Sequence, residues 1–180
     1  MGFGETGRGS FVPPYATLVY DVEINDVLTK AQFEKEQAEQ KKKDELKKAE
    51  AKKDETTQLQ KYLKDNHITA KPTADGLYYI EQIKGTGPQA GPGKKVKVHY
   101  VGTLLNGKKF DSSRDKGQPL EFTIGKNEVV RGWDEGIAMM RAGGRATLIV
   151  PSSIGYGDRS MGDIPPYSTL VFDVELLDVK

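Results

Sequence analysis

The stretch from residue 34 to residue 55, EKEQAEQKKKDELKKAEAKKDE, holds 16 charged residues in 22, eight of each sign, with Leu46 as its only large apolar side chain. Good helix formers dominate, Gly and Pro are absent, and Glu and Lys recur at helical neighbour spacing, so the stretch specifies a helix. Such a helix has no apolar face to bury, and its a and d positions are not apolar, which argues against a coiled coil. It reads as a solvated helical spacer. Any core must therefore lie outside it. The pattern improves only at Leu59, Tyr62 and Leu63, which share one face before DNHITAKPTADG breaks the helix.

Beyond Ala70 the chain reads as strands and turns. Strands are expected over Gly76–Ile83, Lys95–Val101, Leu120–Ile124, Arg145–Val150 and Ser168–Val179. Val96, Val98 and Tyr100 line one face of the second, and Leu170, Phe172, Val174 and Leu176 one face of the last. Among them lies one short helix, VVRGWDEGIAMM, with Trp133, Ile137 and Met140 on one side and Gly143 and Gly144 at its end. Its interior Gly136 costs about 1 kcal/mol against alanine, so tertiary packing must hold it. The fold class is α+β: a bent antiparallel sheet with one short helix on its apolar face, preceded by the charged helix. Residues 70–180 suffice for one such core.

Composition narrows function. A net charge of +1 gives no electrostatic drive toward nucleic acid or an anionic membrane, and the absence of cysteine removes thiol chemistry and disulfides. No apolar run approaches a membrane span, and the first residues lack the basic start and apolar run of a secretory signal. GTGPQA at Gly85–Ala90 fits a dinucleotide-loop pattern but is followed by GPGKK and a strand instead of a helix. GETGRGS at Gly4–Ser10 lacks the lysine of a phosphate loop. His67 and His99 have no ligand-spaced companion, and His99 reads as solvent-facing. Asp134 and Glu135 point apart on their helix, which suits capping or a surface role better than paired-carboxylate chemistry. No metal or cofactor is expected.

What remains is a set of apolar side chains sharing the concave side of the sheet: Tyr100, Phe110, Leu120, Val129, Val130, Trp133, Tyr156, Ile164 and Phe172. Periodicity alone makes them core. The Tyr100 and Tyr156 hydroxyls need partners, however, and Asp111 follows Phe110 in a turn-rich loop. A polar rim on an apolar patch is how a pocket looks.

VHYVGTLLNGKKFDSSRDKGQPLEFTIGKNEVVRGWDEGI and GYGDRSMGDIPPYSTLVFDVELLDV closely resemble the FKBP-type peptidyl-prolyl cis-trans isomerases, over roughly Gly76–Lys180. The resemblance implies a bent sheet wrapped around one helix with the active pocket between them. It implies Trp133 as the pocket floor, Tyr100, Phe110, Val129, Val130 and Phe172 as walls, and Ile164 and Tyr156 on the loop over the mouth. It further implies Asp111 as the acidic pocket residue, the Tyr156 hydroxyl as a contact for ligand carbonyls, and the Val130 N–H as a donor to the bound peptide. Leu120 stands where an aromatic wall residue is common, Lys116 replaces an arginine that pairs with the aspartate, and GDRSMGD is about one residue short. The expected partners are proline-containing polypeptides and macrolide inhibitors. The rival reading is a peptide-binding or chaperone module with the same pocket and no turnover.

FVPPYATLVYDVEI at Phe11–Ile24 nearly repeats DIPPYSTLVFDVEL at Asp163–Leu176, and Gly2–Ser10 echoes Gly155–Asp163, with Phe3 in place of Tyr156. The expected organisation is an upstream remnant over 1–28, a charged helical linker over 29–69 and a complete isomerase domain over 70–180. The upstream strand would expose Leu18, Tyr20, Val22 and Ile24, so it is expected to pair with a sheet edge. The strand at 11–27 and the linker helix are the two expected routes to a homodimer. Family members with a helical leader, such as the macrophage infectivity potentiators, point to a bacterial cell envelope or periplasm, with a cytoplasmic location as the alternative.

Overall fold

The computed structural model describes residues 15–23 and 29–180. The Gly4–Ser10 motif and both flanks of the strand expected over 11–27 lie outside those residues. Two compact units divide the chain, Met1–Lys43 and Asp44–Lys180. Within 15–23, Tyr15 turns the backbone at φ 56°, and none of residues 16–23 is in a strand.

Helix α1 runs Lys30–Asp65. A reciprocal capping box starts it: Gln32 N–H donates to Thr29 Oγ1 at 3.3 Å, and Thr29 N–H donates to Gln32 Oε1 at 2.9 Å. His67, at φ 52°, ends it, with Ile68 N–H returning to the Leu63 carbonyl at 2.9 Å. Residues 29–50 are exposed. The far end behaves differently: Leu59 and Leu63 are buried against Tyr78, Ile149 and Val171. The last turns of α1 carry apolar side chains that the sheet covers, and the compact unit Asp44–Lys180 takes in residues 70–180 together with this part of α1.

Six strands form one antiparallel sheet: β1 Tyr78–Ile83, β2 Lys95–Leu104, β3 Lys109–Ser112, β4 Leu120–Thr123, β5 Arg145–Val150 and β6 Leu170–Val179. The order is β1-β5-β6-β2, and β3 and β4 share the free edge of β2 end to end. The short β3, within KKFDSS, was not foreseen, since four residues give too little alternation to read. The longest pairing joins β2 to β6 from Val96↔Val179 to Leu104↔Leu170. It aligns the two alternating faces seen in the sequence, so Val96, Val98 and Tyr100 bury beside Leu170, Phe172, Val174 and Leu176. The opposite face packs on α1.

Helix α2, Arg131–Ala138, lies on the inner face. It is shorter than its sequence pattern: Met139 caps it, and Gly143, at φ +81°, serves the turn into β5 instead. Its two glycines explain themselves in the packing. A Cβ on Gly132 would lie 2.6 Å from Val150 Cγ1, and one on Gly136 2.7 Å from Leu148 Cδ2. Only glycine lets the helix backbone come this close to β5. Gly136→Ala is therefore expected to destabilise the domain by about 1–3 kcal/mol, opposite in sign to the gain of about 1 kcal/mol that helix propensity alone predicts. Urea unfolding followed by the fluorescence of the single tryptophan reads the sign.

Candidate functional site

Between α2 and the sheet opens a cavity of about 180 Å³. Tyr100 of β2, Phe110 and Asp111 of β3, Leu120 of β4 and Phe172 of β6 form its sheet side. Glu128, Val129 and Val130 lead into α2, Trp133 comes from α2 itself, and Tyr156 follows a 3-10 turn at Ser152–Ile154. The structure thus brings together nine of the ten residues singled out from the sequence. Ile164 is the exception: it is 5% exposed and belongs to the packed core, not to the cavity lining.

Trp133, 3% exposed, is the floor. Its ring stands edge-on to Tyr100, with centroids 4.9 Å apart and planes at 84°, and to Phe172 at 5.1 Å and 85°. Phe110 meets Phe172 at 5.7 Å and 90°. Edge-to-face pairing places positive ring edges on negative faces, adding about 0.5–1.5 kcal/mol per pair beyond area burial. Gly102 makes room: a Cβ there would sit 2.7 Å from Phe110 Cζ and 3.0 Å from Phe172 Cε1. The Trp133 indole N–H finds no hydrogen-bond partner among the described residues.

The rim is polar. The Tyr100 hydroxyl donates to Asp111 Oδ2 at 2.5 Å, while Ser112 N–H at 2.8 Å and the Lys116 ammonium at 2.5 Å take Oδ1. Partial burial pushes the Asp111 carboxyl up. The Lys116 and Tyr100 hydrogen bonds, the Ser112 amide and the Lys116 charge outweigh it and hold the group below its ordinary value of 3.8. Lys116 therefore braces one oxygen as a point charge, where an arginine could take two. Tyr100 is pushed well up by burial and then by its bond to Asp111, and Tyr156 is raised by burial and then by the Asp111 charge. Both stay hydroxyl donors across the physiological range.

Val130, extended at φ −64° and ψ 148°, precedes α2; its carbonyl accepts the Trp133 N–H at 2.9 Å. Its own N–H makes no hydrogen bond among the described residues. Two polar residues behave otherwise than expected or go further. His99 is half-buried, not solvent-facing, because its Nδ1 bonds Ser113 Oγ at 2.9 Å. Asp134 accepts the Gly125 N–H at 2.8 Å and pins the loop that leads toward α2. Glu128 was missed: a charge in a loop has no periodicity to mark it as a lining residue. Chemically, the site offers an apolar cup, a fixed carboxylate and several donors at the rim.

Because the folded-state Asp111 carboxyl is depressed, its contribution to stability is present above the ordinary value near 3.8 and is lost as pH falls through the lowered folded value. Asp111→Asn is expected to be less stable than the parent at pH 6, with the gap closing below about pH 4. Urea midpoints at several pH values measure that closure.

Residues 87–177 match the family described as FKBP-type peptidyl-prolyl cis-trans isomerase. An FK506-binding protein of Neisseria meningitidis serogroup A is 51% identical over 106 residues, covering 58% of this chain and 97% of that protein. Peptidyl-prolyl cis-trans isomerase Fkbp12 of Drosophila melanogaster is 61% identical over 89 residues, 49% of this chain and 82% of its own. The crystal structure of FkpA from Escherichia coli aligns with a TM-score of 0.62 at 35% identity, covering 85% of this chain and 74% of that one. AtFKBP13 aligns with a TM-score of 0.57 at 43% identity, over 61% of this chain and 97% of its own.

Proposed function

We propose, from the premise that this chain belongs to the FKBP-type peptidyl-prolyl cis-trans isomerase family, that the cavity over Trp133 is where it rotates an X–Pro peptide bond. The protein is a peptidyl-prolyl cis-trans isomerase. The observation that carries the assignment to this cavity is an aromatic cup closed below by Trp133 and rimmed by an ionised carboxylate and tyrosyl hydroxyls.

Rotation about the X–Pro bond breaks amide resonance against a barrier of roughly 18–20 kcal/mol. It needs no proton transfer and no nucleophile. The planar amide is more polar than the twisted one, so water stabilises the ground state more than the transition state. A proline ring seated among Tyr100, Phe110, Phe172 and Trp133 leaves that water behind. The Val130 N–H and the Tyr156 hydroxyl supply fixed donors to the peptide carbonyls, and Asp111 orients the Tyr100 hydroxyl. Each 1.36 kcal/mol gained in the transition state over the ground state is about tenfold in rate.

The same cup is the proposed seat of a macrolide inhibitor, a reading supported by relatives named FK506-binding proteins. A tandem arrangement, with residues 1–28 as the end of an upstream copy, is supported by the repeated sequence. A bacterial cell-envelope location is supported by the likeness to the E. coli protein across more of the chain than the isomerase domain. No described helix is long and apolar enough to cross a membrane. A homodimer through 11–27 or α1 stays a proposal, which sedimentation of the full chain decides.

The chain is expected to accelerate cis-to-trans conversion of a Leu-Pro peptide, and a rapamycin-type macrolide is expected to block it. Trp133→Leu should lower kcat/KM at least about tenfold, or roughly 1.4 kcal/mol. Peptide binding without acceleration would make the domain a binding module. Since Asp111 is depressed and both tyrosines are raised, kcat/KM is expected to be flat from about pH 5 to pH 9. A bell-shaped profile in that range would require another titrating group.

A further inference from the structure

The carboxylate of Glu55, on α1, reaches both stems of the loop that carries Tyr156. Its Oε1 accepts the Ser152 backbone N–H at 2.7 Å and the Thr169 hydroxyl at 2.7 Å, and its Oε2 accepts the Ser152 hydroxyl at 2.6 Å. Ser152 and Thr169 are 5% and 3% exposed, and neither hydroxyl makes another hydrogen bond among the described residues. Buried hydroxyls need partners, and bonds to an ionised acceptor are roughly twice as strong as neutral ones. One carboxylate thus ties residue 152, ahead of the loop, to residue 169, where the loop rejoins the sheet.

The grip passes directly to Tyr156. The Ser152 carbonyl accepts the N–H of Gly155 at 3.0 Å and of Gly157 at 2.9 Å, the two residues that flank Tyr156. Gly157, at φ +65°, also accepts the Tyr167 N–H at 2.8 Å. A tyrosine between two glycines has little backbone restraint of its own. What holds Ser152 therefore bears directly on where Tyr156 sits.

We infer that Glu55 is a positioning residue for the isomerase reaction, acting through Ser152 and Thr169 to place the Tyr156 hydroxyl over the cavity. α1 is then a working part of the enzyme, although Glu55 lies outside the segment 87–177 that matches the family. The nearby Lys48–Asp158 ion pair, 3.3 Å long, has side chains 55% and 56% exposed and contributes little to this placement. The inference rests on the reading of Tyr156 as a peptide contact.

The test is a double-mutant cycle in the full chain, reading kcat/KM on the Leu-Pro peptide. Glu55→Ala is expected to lower it about fivefold to twentyfold. Glu55→Gln, whose amide oxygen can accept both bonds now made to Oε1, should stay within about threefold of the parent, and Lys48→Ala within about twofold. In a Tyr156→Phe background, Glu55→Ala should cost less than about twofold, because coupled residues are non-additive. Should Glu55→Ala fail to fold, Thr169→Val removes one of the three bonds and carries the same cycle. Loss of activity that is equal in both backgrounds, or no loss in the folded variant, overturns the inference. Tyr156→Phe without effect overturns the underlying reading of the site instead.

Discussion

Trp133 stands edge-on to both Tyr100 and Phe172 only because α2 lies hard against β5, and α2 reaches that depth only because residues 132 and 136 have no side chains. A glycine in a helix interior is unfavourable in isolation by about 1 kcal/mol. Here it admits a contact that closes the core and floors the cavity together. The indole is nearly buried, so its position is fixed by packing from below and from both sides. The rings above it therefore enclose a space of defined shape. Rigidity of this kind lets a pocket exclude water without a lid.

Polarity at the rim works against that dryness, and the structure limits the conflict by satisfying the polar groups internally. Asp111 accepts from Tyr100, Ser112 and Lys116, so its charge is spent on ordering the wall and leaves less to compete for the substrate. Burial alone would have raised its carboxyl. The bracing cation is largely solvated, with 64% of the Lys116 side chain exposed, so salt should weaken it more than the bond from the tyrosine. The Val130 N–H and the Tyr156 hydroxyl differ from this group in making no bond to Asp111. Under the proposed function this divides the labour: Asp111 and its partners hold the wall, and the other two donors are left to meet the peptide.

Alternation made β2 and β6 legible in the sequence, and the spacing of Trp133 and Ile137 gave α2, because burial on one face imposes a period that a reader can count. Nine of the ten pocket residues followed, most of them through motifs such as VVRGW and FDSS rather than through periodicity, which called them core. Where the signal was short or charged it failed. β3 spans four residues, too few to show a period. Glu128 and Glu55 look like surface charges in the chain; that one lines the cavity and the other grips Ser152 depends on residues far away in sequence. Ile164, placed on the mouth loop by motif, is buried in the core cluster that also holds Tyr100, Trp133 and Phe172, and is not among the residues lining the cavity.

The repeated PPY element separates what a short sequence encodes by itself from what it needs its surroundings to complete. Tyr15 and Tyr167 follow the same two prolines, and both adopt φ 56°, an unusual backbone for a tyrosine. Agreement at that level is local: each proline fixes its own φ and restricts the residue before it, and the following residue turns back. The next residues are just as similar, STLVFDVE against ATLVYDVE, yet only the second copy is a strand. Leu170–Val179 lies between β5 and β2 and bonds to both; residues 16–23 form no strand, and Val19, Tyr20 and Val22 are exposed. The turn is therefore written in the sequence of the element, while the strand is a property of the sheet that receives it.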